Sequence, residues 1–152
     1  MEIIQLKECI AKASNQYYRL LIIVGPPGSG KSRLLRQLDN VSYIHLSLEL
    51  AKQLIIFPKE DRALHINDVL SEIISTNEQQ VIVLDNIELL FLPELRLNPL
   101  RALEHLSRNK TLVVAWTGSY NDRRLAWAEP GHPEYRVYDD KSCPGIIVKL
   151  ID

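Results

Sequence analysis

Gly25, Pro26, Pro27, Gly28, Ser29, Gly30, Lys31 and Ser32 fill the pattern G-x-x-x-x-G-K-[ST] without a mismatch. Such a run can capture an anion. Its glycines let the main chain turn and approach a charged group closely. The N–H groups at the start of a following helix point at that group, and the helix dipole favours negative charge there. Lys31 is of a length to reach the outer phosphates of a polyphosphate, and the Ser32 hydroxyl can ligate Mg²⁺. Arg33, the next residue, is counted with the loop. The apolar run Leu20-Leu21-Ile22-Ile23-Val24 precedes it and Leu34, Leu35 and Leu38 follow. Strand, glycine-rich loop and helix are the context a phosphate-binding loop needs.

Further along, Val81-Ile82-Val83-Leu84 runs into Asp85. A carboxylate at the end of such a strand can hold Mg²⁺ opposite the loop hydroxyl. Asn86 and Glu88 follow. Asn86 can hydrogen-bond a water but cannot take its proton, so Glu88 is the nearest candidate base; the plainer reading of Glu88 is a carboxylate placed to suit a helix start. The run Leu112 to Trp116 ends in Thr117-Gly118-Ser119. Thr117 is a candidate sensor of the terminal phosphate, although a turn that merely ends the strand would use the same residues. Arg123 and Arg124 are candidates to reach a neighbouring subunit's phosphate, with Arg136 behind them. Adjacent arginines also serve as a solvated surface.

Other clusters carry less chemistry. His132 and Glu134 sit in the turn-rich segment 129–135 and are too few to fill a metal site. Arg96, Arg101, Arg108 and Lys110 could make a local basic face for nucleic acid, but Glu94 and Glu104 dilute it. Cys9 and Cys143 fit no metal spacing or disulfide framework and read as reduced thiols.

The elements that must position these residues alternate. Residues 2–16 show helical spacing of Ile3, Leu6, Ile10 and Ala13; strands are expected at 20–24, 42–46, 81–85, 111–116 and 145–150. Helices are expected after the loop, at 48–55 with Ser47 as cap, through the stripe Leu64 to Ile74, from Pro99, and over 120–127. This alternation predicts a three-layer α/β/α sandwich around a mostly parallel five-stranded sheet of P-loop NTPase type, formed by one domain over 1–152, with 1–17 an N-terminal helix and 18–152 the core. The chain has 152 residues and a net charge of −1, so no global basic field steers it to nucleic acid or anionic lipid. Neither a signal peptide nor a membrane-length apolar stretch is expected, and the reading is a cytoplasmic protein.

With the loop at 25–32, Asp85 and Thr117 in place, the chain resembles the additional-strand ATPases and, within them, AAA+-like modules. The likeness spans roughly residues 18–150 and implies ATP and Mg²⁺ as ligands. It extends to no helical lid domain, which puts lid-driven motor action in doubt. The loop, the segment Asp85-Asn86-Ile87-Glu88-Leu89-Leu90-Phe91, Ala115-Trp116-Thr117-Gly118 and Gly131-His132-Pro133-Glu134-Tyr135 are also similar to the small P-loop proteins of type 3 BREX phage-defence systems. That resemblance implies a bacterial ATPase working with other defence proteins near DNA. Three functions follow as expectations. The first is a Mg²⁺-dependent ATPase whose nucleotide state controls homo-oligomerisation or partner binding. The second is a nucleotide-dependent scaffold that hardly turns ATP over. The third is a small-molecule or nucleotide kinase. No guanine-specific Asn-Lys-x-Asp sequence is present, which favours ATP.

Overall fold

The computed structural model describes residues 1–150; Ile151 and Asp152, assigned above to the core, lie outside the described residues. Five strands form one sheet: β1 (Leu20–Val24), β2 (Ser42–His45), β3 (Val81–Asp85), β4 (Thr111–Trp116) and β8 (Ile146–Lys149). Their spatial order is β2-β3-β4-β1-β8, and every neighbouring pair is parallel. β4 therefore lies between the strand that feeds the loop and the strand that carries Asp85.

Alternating side chains divide the core in two. Leu20, Ile22, Ile82, Leu84, Leu112, Val114 and Trp116 face one side, against α3 (Leu46–Leu54), α4 (Arg62–Ser75) and α5 (Pro99–Leu106). Leu21, Ile23, Val83, Val113 and Ala115 face the other, against α1 (Ile3–Ser14) and α2 (Lys31–Leu35). β1 and β4 are buried along their whole length, which is why they read as unbroken apolar runs. The outer strands β2 and β8 are only half-buried. The three-layer expectation and the five strands are matched. α2 is shorter than the stretch to Leu38 suggested, and a turn follows it.

Two expectations on local structure are corrected. α3 begins at Leu46, and its cap is His45, whose Nδ1 accepts the Leu48 N–H at 3.1 Å. Ser47 is not the cap; its hydroxyl is engaged elsewhere. Residues 120–127 are not helical. They form the hairpin of β5 (Ser119–Asn121) and β6 (Arg124–Trp127), extended by β7 (Arg136–Asp139) into a separate antiparallel sheet. The two residues between β5 and β6, Asp122 and Arg123, both have positive φ (51° and 62°), the backbone that a two-residue hairpin turn requires. Period-two burial decides the matter: Leu125 and Trp127 are buried while Arg124 is exposed. Trp127 stacks on Phe91 at 4.2 Å between centroids, and Trp116 meets both rings edge-on. The hairpin is thereby fastened to the main sheet beside the tip of β4.

Gly118 makes that fastening possible. A Cβ there would fall 1.8 Å from the Ala126 carbonyl oxygen, and that same oxygen accepts the Trp116 Nε1–H at 2.8 Å. The residue is glycine because a second strand passes against it, not merely because a turn ends β4.

Candidate functional site

The parallel strands end along one edge of the sheet, and there an open cleft of about 570 Å³ is lined by Pro27 to Arg33 together with Asp85, Asn86, Glu88 and Thr117. Three stretches far apart in sequence meet at it. Gly25 and Pro26 stand just behind this lining and contribute carbonyls.

The loop is shaped by Gly28 (φ 79°) and Gly30 (φ 91°), both in the left-handed region where a Cβ is strained. Gly30 caps α2 from that conformation. Among the described residues, the backbone N–H groups of Gly28, Gly30, Lys31, Ser32 and Arg33 meet no protein acceptor. They are the orphan donors of a helix start, gathered around one concavity.

Lys31 is buried, and its Nζ donates to the carbonyls of Gly25 (2.5 Å) and Pro26 (3.0 Å). Burial pushes the ammonium below its ordinary pKa, and the charge of Asp85 offsets part of that. Asp85 is buried as well. Its Oδ2 accepts the Ser32 hydroxyl at 2.6 Å and also the Tyr43 hydroxyl; its Oδ1 accepts the Asn86 N–H at 2.9 Å. Burial alone would raise this carboxyl. The three hydrogen bonds, with Lys31 nearby, outweigh that and hold it below the usual carboxylate value. Tyr43 moves the other way: burial, then its bond to Asp85, raise the phenol and keep it protonated.

Asn86 turns the chain away from β3 in a left-handed conformation (φ 54°). Its carbonyl lies 2.5 Å from the Ser47 hydroxyl, which also stands 3.1 Å from the Glu88 carboxylate and accepts the Leu89 N–H at 3.0 Å. Glu88 opens a short 3₁₀ turn, Glu88–Phe91, and is exposed. One serine from the start of α3 thus holds both residues that follow Asp85.

The structure brings together Lys31, Ser32, Asp85, Asn86, Glu88 and Thr117. It leaves Arg123 and Arg124 outside the cleft, exposed at the hairpin. Arg136 lies on β7, where it donates to the Tyr135 carbonyl. Tyr43 and Ser47 were missed. Only the register Tyr43↔Val83, which sets Tyr43 on the same face as Asp85, would have found the first. The supposed basic face is otherwise occupied: Arg101 pairs with Glu104 at 2.7 Å, Arg108 lies over the Tyr17 ring, and Lys110 donates to the carbonyls of Asn77 and Gln79. His132 accepts the Glu134 N–H through Nδ1, a local turn. Among the described residues no cluster of three or more His, Cys, Asp or Glu stands in metal-binding reach, and no helix is long and apolar enough to cross a membrane.

No family model and no curated protein matches this chain. Among solved structures it is similar to C. elegans PCH-2, an AAA+ ATPase, with a TM-score of 0.52 and 12% identity. The match covers 97% of this chain and 41% of PCH-2, so the chain spans less than half the length of that protein. At this identity the likeness carries the fold alone: an α/β arrangement around a parallel five-stranded sheet. It does not reach the narrower resemblance to phage-defence P-loop proteins.

Proposed function

We propose that this chain binds ATP with Mg²⁺ and hydrolyses it, and that its nucleotide state controls self-assembly or the binding of a partner. The observation that carries this reading is the cleft itself, where five unpartnered main-chain N–H groups and a buried ammonium stand beside the Ser32–Asp85 pair. Donors alone on one side suit a polyphosphate; oxygen ligands on the other suit a hard cation. Gly25 to Arg33 would hold the phosphates, with Lys31 exchanging its loop carbonyls for phosphate oxygens. Ser32 and Asp85 would hold the metal, which when bound supplies charge neutralisation at the phosphate oxygens. Glu88, steadied by Ser47 and helped by Asn86, would orient water and take its proton. Thr117, at the tip of β4, would report the terminal phosphate. Arg123 and Arg124 would act on a second copy in a homo-oligomer; their exposure on a hairpin outside the cleft lining supports this part of the reading. The AAA+ neighbour supports nucleotide use in general. A cytoplasmic role beside other phage-defence proteins, with DNA within reach, belongs to this proposal and rests on the sequence resemblance alone.

Calorimetry with Mg²⁺-ATP tests the reading. Uptake by the wild type, weakened roughly tenfold to a hundredfold in Lys31→Ala, is the expected result. Absence of uptake by folded protein, with Lys31→Ala behaving identically, refutes it. Native mass with and without nucleotide, and turnover at rising protein concentration, test the assembly part; flat specific activity and an unchanged mass count against it.

A second reading, a scaffold that binds ATP with little turnover, is favoured by the tether of Glu88 to Ser47 and by an amide at position 86. Equal, slow hydrolysis by wild type and Glu88→Gln would establish it.

A further inference from the structure

We infer that Tyr43 competes with the metal for Asp85, so that its hydroxyl sets the magnesium concentration at which the nucleotide complex forms. The inference rests on the nucleotide reading above and concerns a residue that reading leaves unused.

An ionised carboxylate oxygen offers two lone-pair directions. Asp85 Oδ2 receives two hydroxyl protons, one from Ser32 and one from Tyr43, while Oδ1 receives the Asn86 N–H. The Ser32 hydroxyl can keep donating to Oδ2 while its own oxygen turns to a cation. Tyr43 cannot contribute in that way: its hydroxyl fills the direction that a cation, or a water bound to one, would use on the same oxygen. A metal that binds Asp85 through Oδ2, the oxygen Ser32 shares, must therefore displace the phenol.

Tyr43 is built to yield. It lies on β2, an outer strand of the sheet, and is half-buried rather than locked in the core. Its ring is steadied by the Arg36 guanidinium, 4.4 Å from the ring centroid. Arg36 is the residue that ends α2, the helix opened by Lys31. Tyr43 thus touches both the metal-side carboxylate and the end of the helix that follows the loop, and it can exchange its bond to Asp85 for water at the rim. In this arrangement Tyr43 is a positioning residue: it satisfies Asp85 in the metal-free state and raises the magnesium requirement of the loaded one.

The test is nucleotide affinity, by calorimetry with a non-hydrolysable ATP analogue, across a magnesium titration. Tyr43→Phe keeps the ring on Arg36 and removes only the competing hydroxyl. The magnesium midpoint is expected to fall about tenfold, the scale of one hydrogen bond to a charged group. Affinity in EDTA is expected to stay within twofold of wild type. Tyr120→Phe removes a similar tyrosine–aspartate bond, Tyr120 to Asp140 at 2.7 Å, away from the cleft; it is expected to leave the midpoint in place. A midpoint that is unmoved or raised in Tyr43→Phe overturns the inference while leaving nucleotide binding intact. A midpoint lowered equally by Tyr120→Phe also overturns it. Failure of the wild type to bind the analogue at any magnesium concentration refutes the nucleotide reading instead, and the inference with it.

Discussion

Replacing Asp85 with asparagine tests how the centre of the site is held together. The carboxylate accepts from three donors: the hydroxyls of Ser32 and Tyr43 on Oδ2 and the Asn86 N–H on Oδ1. Asparagine has the same shape but only one acceptor oxygen. Whichever way the amide turns, its NH₂ group confronts at least one of these part-buried donors, and a hydrogen bond to an ionised acceptor is lost. That loss costs about 1–3 kcal/mol. With a urea m-value of about 2 kcal/mol/M, the midpoint should fall by roughly 0.5–1.5 M at pH 7. The pH dependence gives a sharper check. The folded-state pKa of Asp85 is depressed. Between the folded and unfolded values, the unfolded chain therefore binds a proton that the folded chain does not. The stabilisation is fully present above about pH 3.9, the unfolded value, and is lost as pH falls through the folded one. Asp85→Asn lacks this dependence, so the gap between the two proteins should be widest near neutrality and close in acid. Urea unfolding at several pH values, followed by tryptophan emission, measures it. A gap that stays constant into acid would refute the account, because the variant's loss would then owe nothing to the ionised carboxylate.

Three further outcomes are expected. Gly118→Ala puts a methyl group where the Ala126 carbonyl oxygen lies; it should cost about 1–3 kcal/mol in urea unfolding and shift tryptophan emission as the hairpin moves from Trp116. Trp127→Ala removes the ring stacked on Phe91 and should cost about 3–5 kcal/mol, with loss of near-ultraviolet circular dichroism. Ser47→Ala frees Glu88 and the Asn86 carbonyl; single-turnover hydrolysis should fall roughly tenfold to a hundredfold while calorimetric ATP affinity stays within twofold. Unchanged turnover would remove Ser47 from the machinery.

The strands could be read from the sequence because burial on both faces leaves no room for polar alternation: β1 and β4 are apolar from end to end. The loop could be read because its glycines and lysine answer to local backbone geometry, which a short pattern records. The hairpin at 119–127 escaped for the opposite reason. Its strands are only three and four residues long, and its turn places an arginine, Arg123, in a left-handed conformation that side chains rarely adopt. The alternation of Leu125 and Trp127 was the signal present. Tyr43 and Ser47 answer to neither pattern. Each owes its place to strand β3, about forty residues away in the chain, and only the register of β2 on β3 turns sequence distance into contact.

Strand order explains why the site has these members. β4 separates β1 from β3, so the tips of β1 and β3 stand two strand spacings apart, about 9–10 Å. The loop leaving β1 must cross the end of β4 before Ser32 can touch Asp85, and the residue beneath that crossing is Thr117. Its position between the lysine and the carboxylate follows from topology and needs no contact of its own to fix it. β2 lies a single spacing from β3 on the opposite side. Pairing Tyr43 with Val83 turns Tyr43 to the face of Asp85. A slip of one residue in that pairing would send Tyr43 to the other face and bring an apolar neighbour, Ile44, toward the carboxylate. The Ser32 contact depends on the loop's crossing of β4, whereas the Tyr43 contact depends on the register of an outer strand. Of the two hydroxyls on Asp85, the tyrosine is therefore the one that a change at the edge of the sheet can remove without disturbing the loop.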